Sequence, residues 1–306
     1  MQRQDRIIYI DWNIFQDIKH NRQVIGLKEC LDQAKKRGYI IPYSSAHLED
    51  ISRSDNSKYI AEDLKWIEAI TGNYCLAYNE KDEKDFWLMN KKPEKIKQET
   101  KSQYHLKKIL VFEPYCVNMN CLQESNILFP YLKRNNNIMS SELLVEIIYD
   151  LYYTIFDDPN IEKKFRNSIH ELRKLNEPAF PYMKDFPIWK YLFSNQEILK
   201  EHFIEIMESF LYLSNKKLDT LPFGETITTA YDILNFFPVF AEKINNNNNI
   251  HNTSSDSAHT YWATSSKYFI TNDKHLLKKA CFIYNVFGIK TKIYMKDDFI
   301  KNVSFL

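Results

Sequence analysis

Both ends of this chain alternate short apolar runs with helical patterns, and that alternation constrains the fold more than any other feature. Near the start, RIIYID (6–11) is rich in β-branched and aromatic residues and reads as a buried strand. A helical pattern through VIGLKECLDQAKKR (24–37) stops at Gly38, and YIIPY (39–43) reads as a second buried strand. A helix opens at Ser44 or Ser45, either of them a good N-cap, and NYCLAY (73–78) reads as a third strand. The last stretch repeats the pattern: a helix from Asp256, a strand KYFIT (267–271), a helix ending near Gly288, and a strand TKIYM (291–295). Such alternation predicts an α/β fold, a central parallel sheet flanked by helices.

The middle is different. SELLVEIIYDLYYTIF (141–156), QEILKEHFIEIMESFLYL (196–213) and ETITTAYDILNFFPVFAEKI (225–244) carry apolar residues at three- and four-residue spacing, with Pro238 expected to kink or divide the last. Asparagine tracts at Asn135 to Asn137 and Asn245 to Asn249 mark loops or linkers. The expected organisation is therefore a core from residues 1–79 and 251–306, interrupted by a large, mainly α-helical insertion over 80–250.

Only five glycines occur, and the closest two, Gly26 and Gly38, lie twelve apart. Walker A loops, dinucleotide-binding GxGxxG loops and GxSxG nucleophile elbows need closely spaced glycines, so those classes are excluded in their usual forms. Forty-one basic against forty acidic residues give a net charge of +1, which excludes a strong global field for nucleic acid or membrane but not a local basic groove. The five cysteines form no CxxC pair, the pattern of reduced thiols. Charges run through the first residues, and no segment approaches the roughly 18 apolar residues of a membrane span. The expectation is a cytoplasmic protein with no membrane association.

Ligands of parallel sheets sit at the carboxyl ends of the strands. Asp11 ends the first strand, and Asp273 follows the strand Tyr268 to Thr271. Asp256 opens the helix before that strand, and Glu49 lies in the first turns of the helix after the second strand. Each has an ordinary alternative: Asp11, Asp256 and Asp273 as helix caps, Glu49 as a solvated helix residue like its neighbour Asp50. Convergence of four acids on one edge favours a metal site instead, because clustered carboxylates repel unless a cation resolves the conflict. Mg²⁺, with oxygen ligands and retained waters, suits phosphate chemistry and an attacking hydroxide.

Asp11-Trp12-Asn13 after an apolar strand resembles the opening of a PIN domain. Asp256-Ser257-Ala258-His259-Thr260-Tyr261-Trp262-Ala263, followed by Phe269-Ile270-Thr271-Asn272-Asp273-Lys274, is similar to that family's closing motif. Trp12, where a small Thr or Ser is usual, and Tyr261, in place of a common alanine, depart from the pattern. The resemblance covers residues 1–79 and 251–306 and implies a Mg²⁺- or Mn²⁺-dependent ribonuclease hydrolysing RNA phosphodiesters, with Asp11 and Asp273 as inner ligands and Glu49 and Asp256 completing the site. It leaves open one metal or two, and implies a toxin or antiviral setting in which a regulatory protein or antitoxin is a partner beside the RNA.

Asn13, Thr271 and Asn272 are candidates to orient ligands or bond a phosphate. His259 shares a helical face with Asp256 and reads as a buried structural histidine. The stretch Lys91 to Lys108, seven lysines against two glutamates, is either an RNA-backbone contact or a solvated helix face. Arg166 and His170 have the wrong spacing for a HEPN nuclease, and no His-Asp dipeptide supports an HD phosphohydrolase. The rival class is a catalytically inactive PIN-like scaffold whose helical insertion binds a partner.

Overall fold

The computed structural model describes residues 3–22, 26–79, 82–100, 114–155, 164, 167–168, 171, 191, 194–213, 216–242 and 250–303. The chain divides into two compact units, one of residues 1–107, 222–228 and 254–306, the other of 108–221 and 229–253.

The first unit is built on a parallel sheet. Strand β1 (Ile8–Ile10) is buried on both faces, and the helix α1 (Trp12–Lys19) begins two residues after it, capped by Asp11. Helix α2 (Leu27–Lys36) returns the chain, α3 (Ser45–Ser52) follows the 39–43 segment, and α4 (Ser57–Thr71) leads to β2 (Tyr74–Asn79). Gly72, in the left-handed conformation at φ 59°, ends α4 by closing its last turn, a conformation that costs a residue with a Cβ. Strand β3 (Asp82–Asn90) pairs antiparallel with β2, and α5 (Pro93–Thr100) follows. From the chain's other end come α6 (Ile250–Ala263), β4 (Tyr268–Thr271), α7 (Lys274–Val286), β5 (Lys292–Met295) and α8 (Lys296–Asn302).

The three-stranded sheet has the order β1-β4-β5, all parallel, with Ile8 opposite Tyr268, Ile10 opposite Ile270 and Phe269 opposite Ile293. On the free side of β1, the 39–43 segment adds two isolated parallel bridges, Ile7 to Ile40 and Tyr43 to Cys75. The sequence predicts a full strand here; instead Ile40 bridges the β1 side and Tyr43 bridges β2, and Pro42 between them has no N–H with which to extend either pairing. Successive residues of β1 face opposite sides. Ile8 and Ile10 join the apolar cluster of Ile14, Phe15, Leu27, Leu31 and Phe299, whereas the Tyr9 ring meets Phe269, His47 and His259 at centroid distances of 5.7, 5.1 and 5.8 Å.

Two sequence expectations are corrected here. The pattern after Glu80 is not helical at first, since 82–90 form β3. Nor does α6 open at Asp256: it starts at Ile250, which puts Asp256 in its second turn.

The second unit is largely helical, with helices Phe129–Arg134, Ser141–Ile155 and Gln196–Leu213 and one short antiparallel pair, Tyr115–Cys116 with Ile138–Met139. A further helix, Phe223–Leu234, begins in the first unit and ends four residues before Pro238, which therefore lies beyond the helix rather than kinking it. Asn135 to Asn137 form a turn, with Asn136 and Asn137 at positive φ. The tract Asn245 to Asn249, the lysines after Thr100, and Arg166 and His170 lie outside the described residues. Among those described, no helix is long and apolar enough to cross a membrane.

Candidate functional site

The carboxyl edge of the parallel sheet carries two aspartates joined through one threonine. Asp11 leaves β1 in an extended conformation, and its Oδ1 accepts the Ile14 N–H at 2.9 Å, one of the donors a helix start leaves unpaired. Its Oδ2 accepts a hydrogen bond from Thr271 Oγ1, and the Thr271 Oγ1 in turn accepts the Asp273 N–H at 2.9 Å. Asp273 caps α7, with Oδ1 accepting from His275 N at 2.7 Å and Leu276 N at 3.0 Å. Both aspartates are thus helix caps and edge residues at once; capping and placement at the ligand-binding edge are the same geometry.

The electrostatics of Asp11 sets it apart from an ordinary cap. Asp11 is only 2% exposed. Burial pushes its carboxyl up to about 6, against the pull of Thr271, the Ile14 N–H and His259, and the charge of Asp273 pushes it further up. A carboxylate destabilised as an anion at a sheet edge marks a candidate site.

Beside this pair lies a polar cleft of about 210 Å³ lined by Asn13, Gln16, Asp17, Arg22, Asn272 and Asp273. Asn13, Gln16 and Asp17 are at i, i+3 and i+4 on α1, so one helical face forms a wall. Asp17 Oδ2 accepts from Asn272 Nδ2 at 3.3 Å and from Lys296 Nζ at 3.2 Å. Lys296 follows β5 and is 3% exposed, so the third parallel strand also delivers a charged group to the edge. Sequence reasoning missed Asp17, Arg22 and Lys296. The end-of-strand rule that identified Asp11 and Asp273 would have found Lys296.

A second polar cluster lies in the interior. Asp50 points inward, not to solvent as the sequence suggested: its Oδ2 accepts from His259 Nε2 at 2.9 Å, its Oδ1 from Ser255 Oγ at 2.5 Å, and Arg53 Nη1 is 3.4 Å away. Burial pushes Asp50 up, but the hydrogen bond and charge of His259, with Arg53 and Ser255, outweigh it and hold the carboxyl below its ordinary value. His259, read as a buried structural residue, is 2% exposed and its Nδ1 lies 2.8 Å from Tyr9 Oη. Tyr9 Oη lies 2.7 Å from Ser44 Oγ, and the Ser44 N–H donates to His47 Nδ1 at 3.0 Å. His47 Nε2 is 2.8 Å from the Ile10 carbonyl, and burial, with the nearby His259, takes this imidazole down to about 3.

Glu49 belongs to this interior region. Burial pushes its carboxyl up, opposed by Arg53 and reinforced by Asp50, and its buried Oε1 has no hydrogen-bond partner among the described residues. The carbonyl of Asp256 accepts from Thr260 Oγ1 at 2.8 Å, one turn along α6. Of the four acids, Asp273 lines the cleft, whereas Asp11, Glu49 and Asp256 do not.

Of the seven sequence candidates, Asp11, Thr271 and Asp273 are bonded together, and Asn13 and Asn272 face the cleft beside them. The four-carboxylate metal site is not assembled: among the described residues, no three His, Cys, Asp or Glu side chains are grouped to hold a metal ion. Mg²⁺, however, commonly takes one or two protein carboxylates plus phosphate oxygens and waters. The Asp11–Asp273 pair fits that demand. Asp11 is a strained anion, and Asp273 Oδ2 has no hydrogen-bond donor among the described residues.

No known family's sequence model, no curated protein and no solved structure matches this chain.

Proposed function

We propose that this chain is a Mg²⁺- or Mn²⁺-dependent ribonuclease, an endonuclease acting on RNA phosphodiesters in the cytoplasm. The observation that carries the reading is the Asp11–Asp273 pair at the carboxyl edge of a parallel sheet, with Asp11 raised to about 6 beside a polar cleft. The resemblance of these segments to PIN domains supplies the substrate class, and with it a toxin or antiviral setting and a regulatory protein or antitoxin as partner.

Asp11 and Asp273 are the residues that would hold the ion, which when bound would supply charge neutralisation at the phosphate and a more acidic attacking water. Thr271 fixes the Asp11 carboxylate through its donated hydrogen bond. Asn13 and Asn272 offer carboxamides to sugar or phosphate oxygens, and Arg22 offers a guanidinium to the phosphate. Lys296 holds Asp17 against the wall, so that acid does not project towards an arriving phosphate.

One observation favours the second reading, an inactive PIN-like scaffold: both oxygens of Asp11 already accept hydrogen bonds. Incubating the purified protein with single-stranded RNA, tRNA and DNA, with and without Mn²⁺ and EDTA, separates the two. The nuclease reading expects RNA cleavage that Mn²⁺ supports and EDTA abolishes. No cleavage of any substrate leaves the scaffold, and metal-independent cleavage defeats both readings.

A further inference from the structure

The interior cluster forms one continuous chain of hydrogen-bonded contacts. The Ser44 N–H can only donate, so His47 Nδ1 accepts and its Nε2–H donates to the Ile10 carbonyl. Asp50, held as an anion, can only accept, so His259 Nε2–H donates to it. His259 Nδ1 lies 2.8 Å from Tyr9 Oη, which in turn lies 2.7 Å from Ser44 Oγ. The chain of bonds starts at the Asp50 charge on α3, crosses α6 at His259 and β1 at Tyr9, and ends on the carbonyl of Ile10. The next residue is Asp11.

We propose that Asp50, His259 and Tyr9 are positioning residues that set the end of β1, and through it the Asp11 carboxylate. This rests on the ribonuclease reading for its consequence in catalysis, but not for its geometry. Three features support it. The network touches the two residues before Asp11, through the Tyr9 hydroxyl and the Ile10 carbonyl. It joins α3 and α6 to β1 across 205 to 250 residues of sequence, so it ties together elements that no local interaction aligns. Its members are buried, so none is available to bind substrate. Outer partners that orient a ligating carboxylate or imidazole typically change metal affinity or activity by about 10–100-fold when removed.

The test measures amide exchange and cleavage on the full chain carrying Tyr9→Phe, Asp50→Ala or Asp50→Asn. The Ile14 N–H, bonded to Asp11 Oδ1, reports whether that carboxylate is in place. Tyr9→Phe and Asp50→Ala are expected to speed exchange over residues 10–15 about tenfold or more, while α7 exchanges at the wild-type rate. Asp50→Asn keeps an acceptor for His259 and should recover most of the protection. In cleavage, kcat should fall about 10–100-fold with KM within twofold. Unchanged exchange at 10–15, or equal acceleration there and in α7, overturns the proposal, the second outcome making the network a general stabiliser. Asp50→Ala is the variant most exposed to misfolding, and Tyr9→Phe, which keeps the ring, decides the matter if it does not fold. A wild-type protein that cleaves nothing defeats the ribonuclease reading alone, since exchange still judges the positioning role.

Discussion

Two buried aspartates in the same unit handle their charge in opposite ways. Asp11 is raised to about 6, whereas Asp50 is held below its ordinary value, although burial pushes both up. The difference lies in what surrounds each carboxylate. Asp50 has an imidazole N–H, a hydroxyl and a guanidinium directed at it. Asp11 has one N–H, one hydroxyl, and a second carboxylate pressing on it. Protein supplies the compensation Asp50 needs; Asp11 lacks it, and an ion would provide it.

The largest expected effect breaks the edge pair. Asp273→Asn or Asp11→Asn should lower metal-dependent RNA cleavage about a thousandfold or more, since each loses a charge an ion depends on. Thermal melting should show no loss of stability, because Asn caps a helix about as well as Asp. Asp273→Asn that cleaves normally but melts lower would make Asp273 a structural cap only.

Asp50→Ala should move stability the other way. The variant leaves the buried His259 Nε2 and Ser255 Oγ without their acceptor, a loss of typically about 1–3 kcal/mol per group that urea unfolding would measure. Adjacent positions on α3 thus differ sharply: Asp50 is satisfied and Glu49 holds an unpartnered oxygen.

The sequence located the edge pair because the polarity of a strand is local: once β1 and β4 are recognised, their carboxyl ends follow. It misplaced Asp50 because a helix pattern says that Asp50 points about 100° from Glu49, not which direction is inward. Helix α3 has only eight residues, too few for a clear apolar stripe, and its orientation comes from α6, whose Ser255 and His259 lie over 200 residues away. Strand β3 was illegible for a related reason. Its first four residues, Asp82-Glu83-Lys84-Asp85, disfavour strand, and its state depends on pairing with β2. Asp256 read as opening the helix, with Ser254 and Ser255 as competing caps, yet α6 already runs from Ile250.

The pH dependence sharpens the contrast. A carboxyl raised to about 6 in the folded chain, against an ordinary value near 3.8, contributes stability that is full below about pH 4 and lost as pH rises through about 6. The whole swing has an upper bound of about 3 kcal/mol by the usual conversion. Asp11→Asn should flatten this part of the stability profile between pH 4 and 7 and raise the melting temperature at neutral pH. Asp50 runs the opposite way: lowered in the fold, it contributes stability present above about pH 4 and lost as pH falls through its depressed value. If Asp11→Asn leaves the slope between pH 4 and 7 unchanged, the strain assigned to Asp11 is absent.

The smallest effect concerns the rim of the cleft. Arg22 lines the same wall as Asp17, whose Oδ2 takes the ammonium of Lys296, while the Arg22 guanidinium has no ion-pair partner among the described residues. It is the cation this cleft can offer to a phosphate, and one phosphate contact carries a definite signature. Each contact to single-stranded nucleic acid contributes about 0.7 to the slope of log affinity against log salt. In an Asp273→Asn background that cannot cleave, Arg22→Ala should weaken single-stranded RNA binding a fewfold and reduce the salt slope by about that amount. Arg22→Lys should keep the slope, because the charge stays, while losing part of the affinity that a bidentate fork supplies. An Arg22→Ala protein with the wild-type slope would place the RNA backbone elsewhere on the molecule, even if the edge carboxylates remain essential for cleavage.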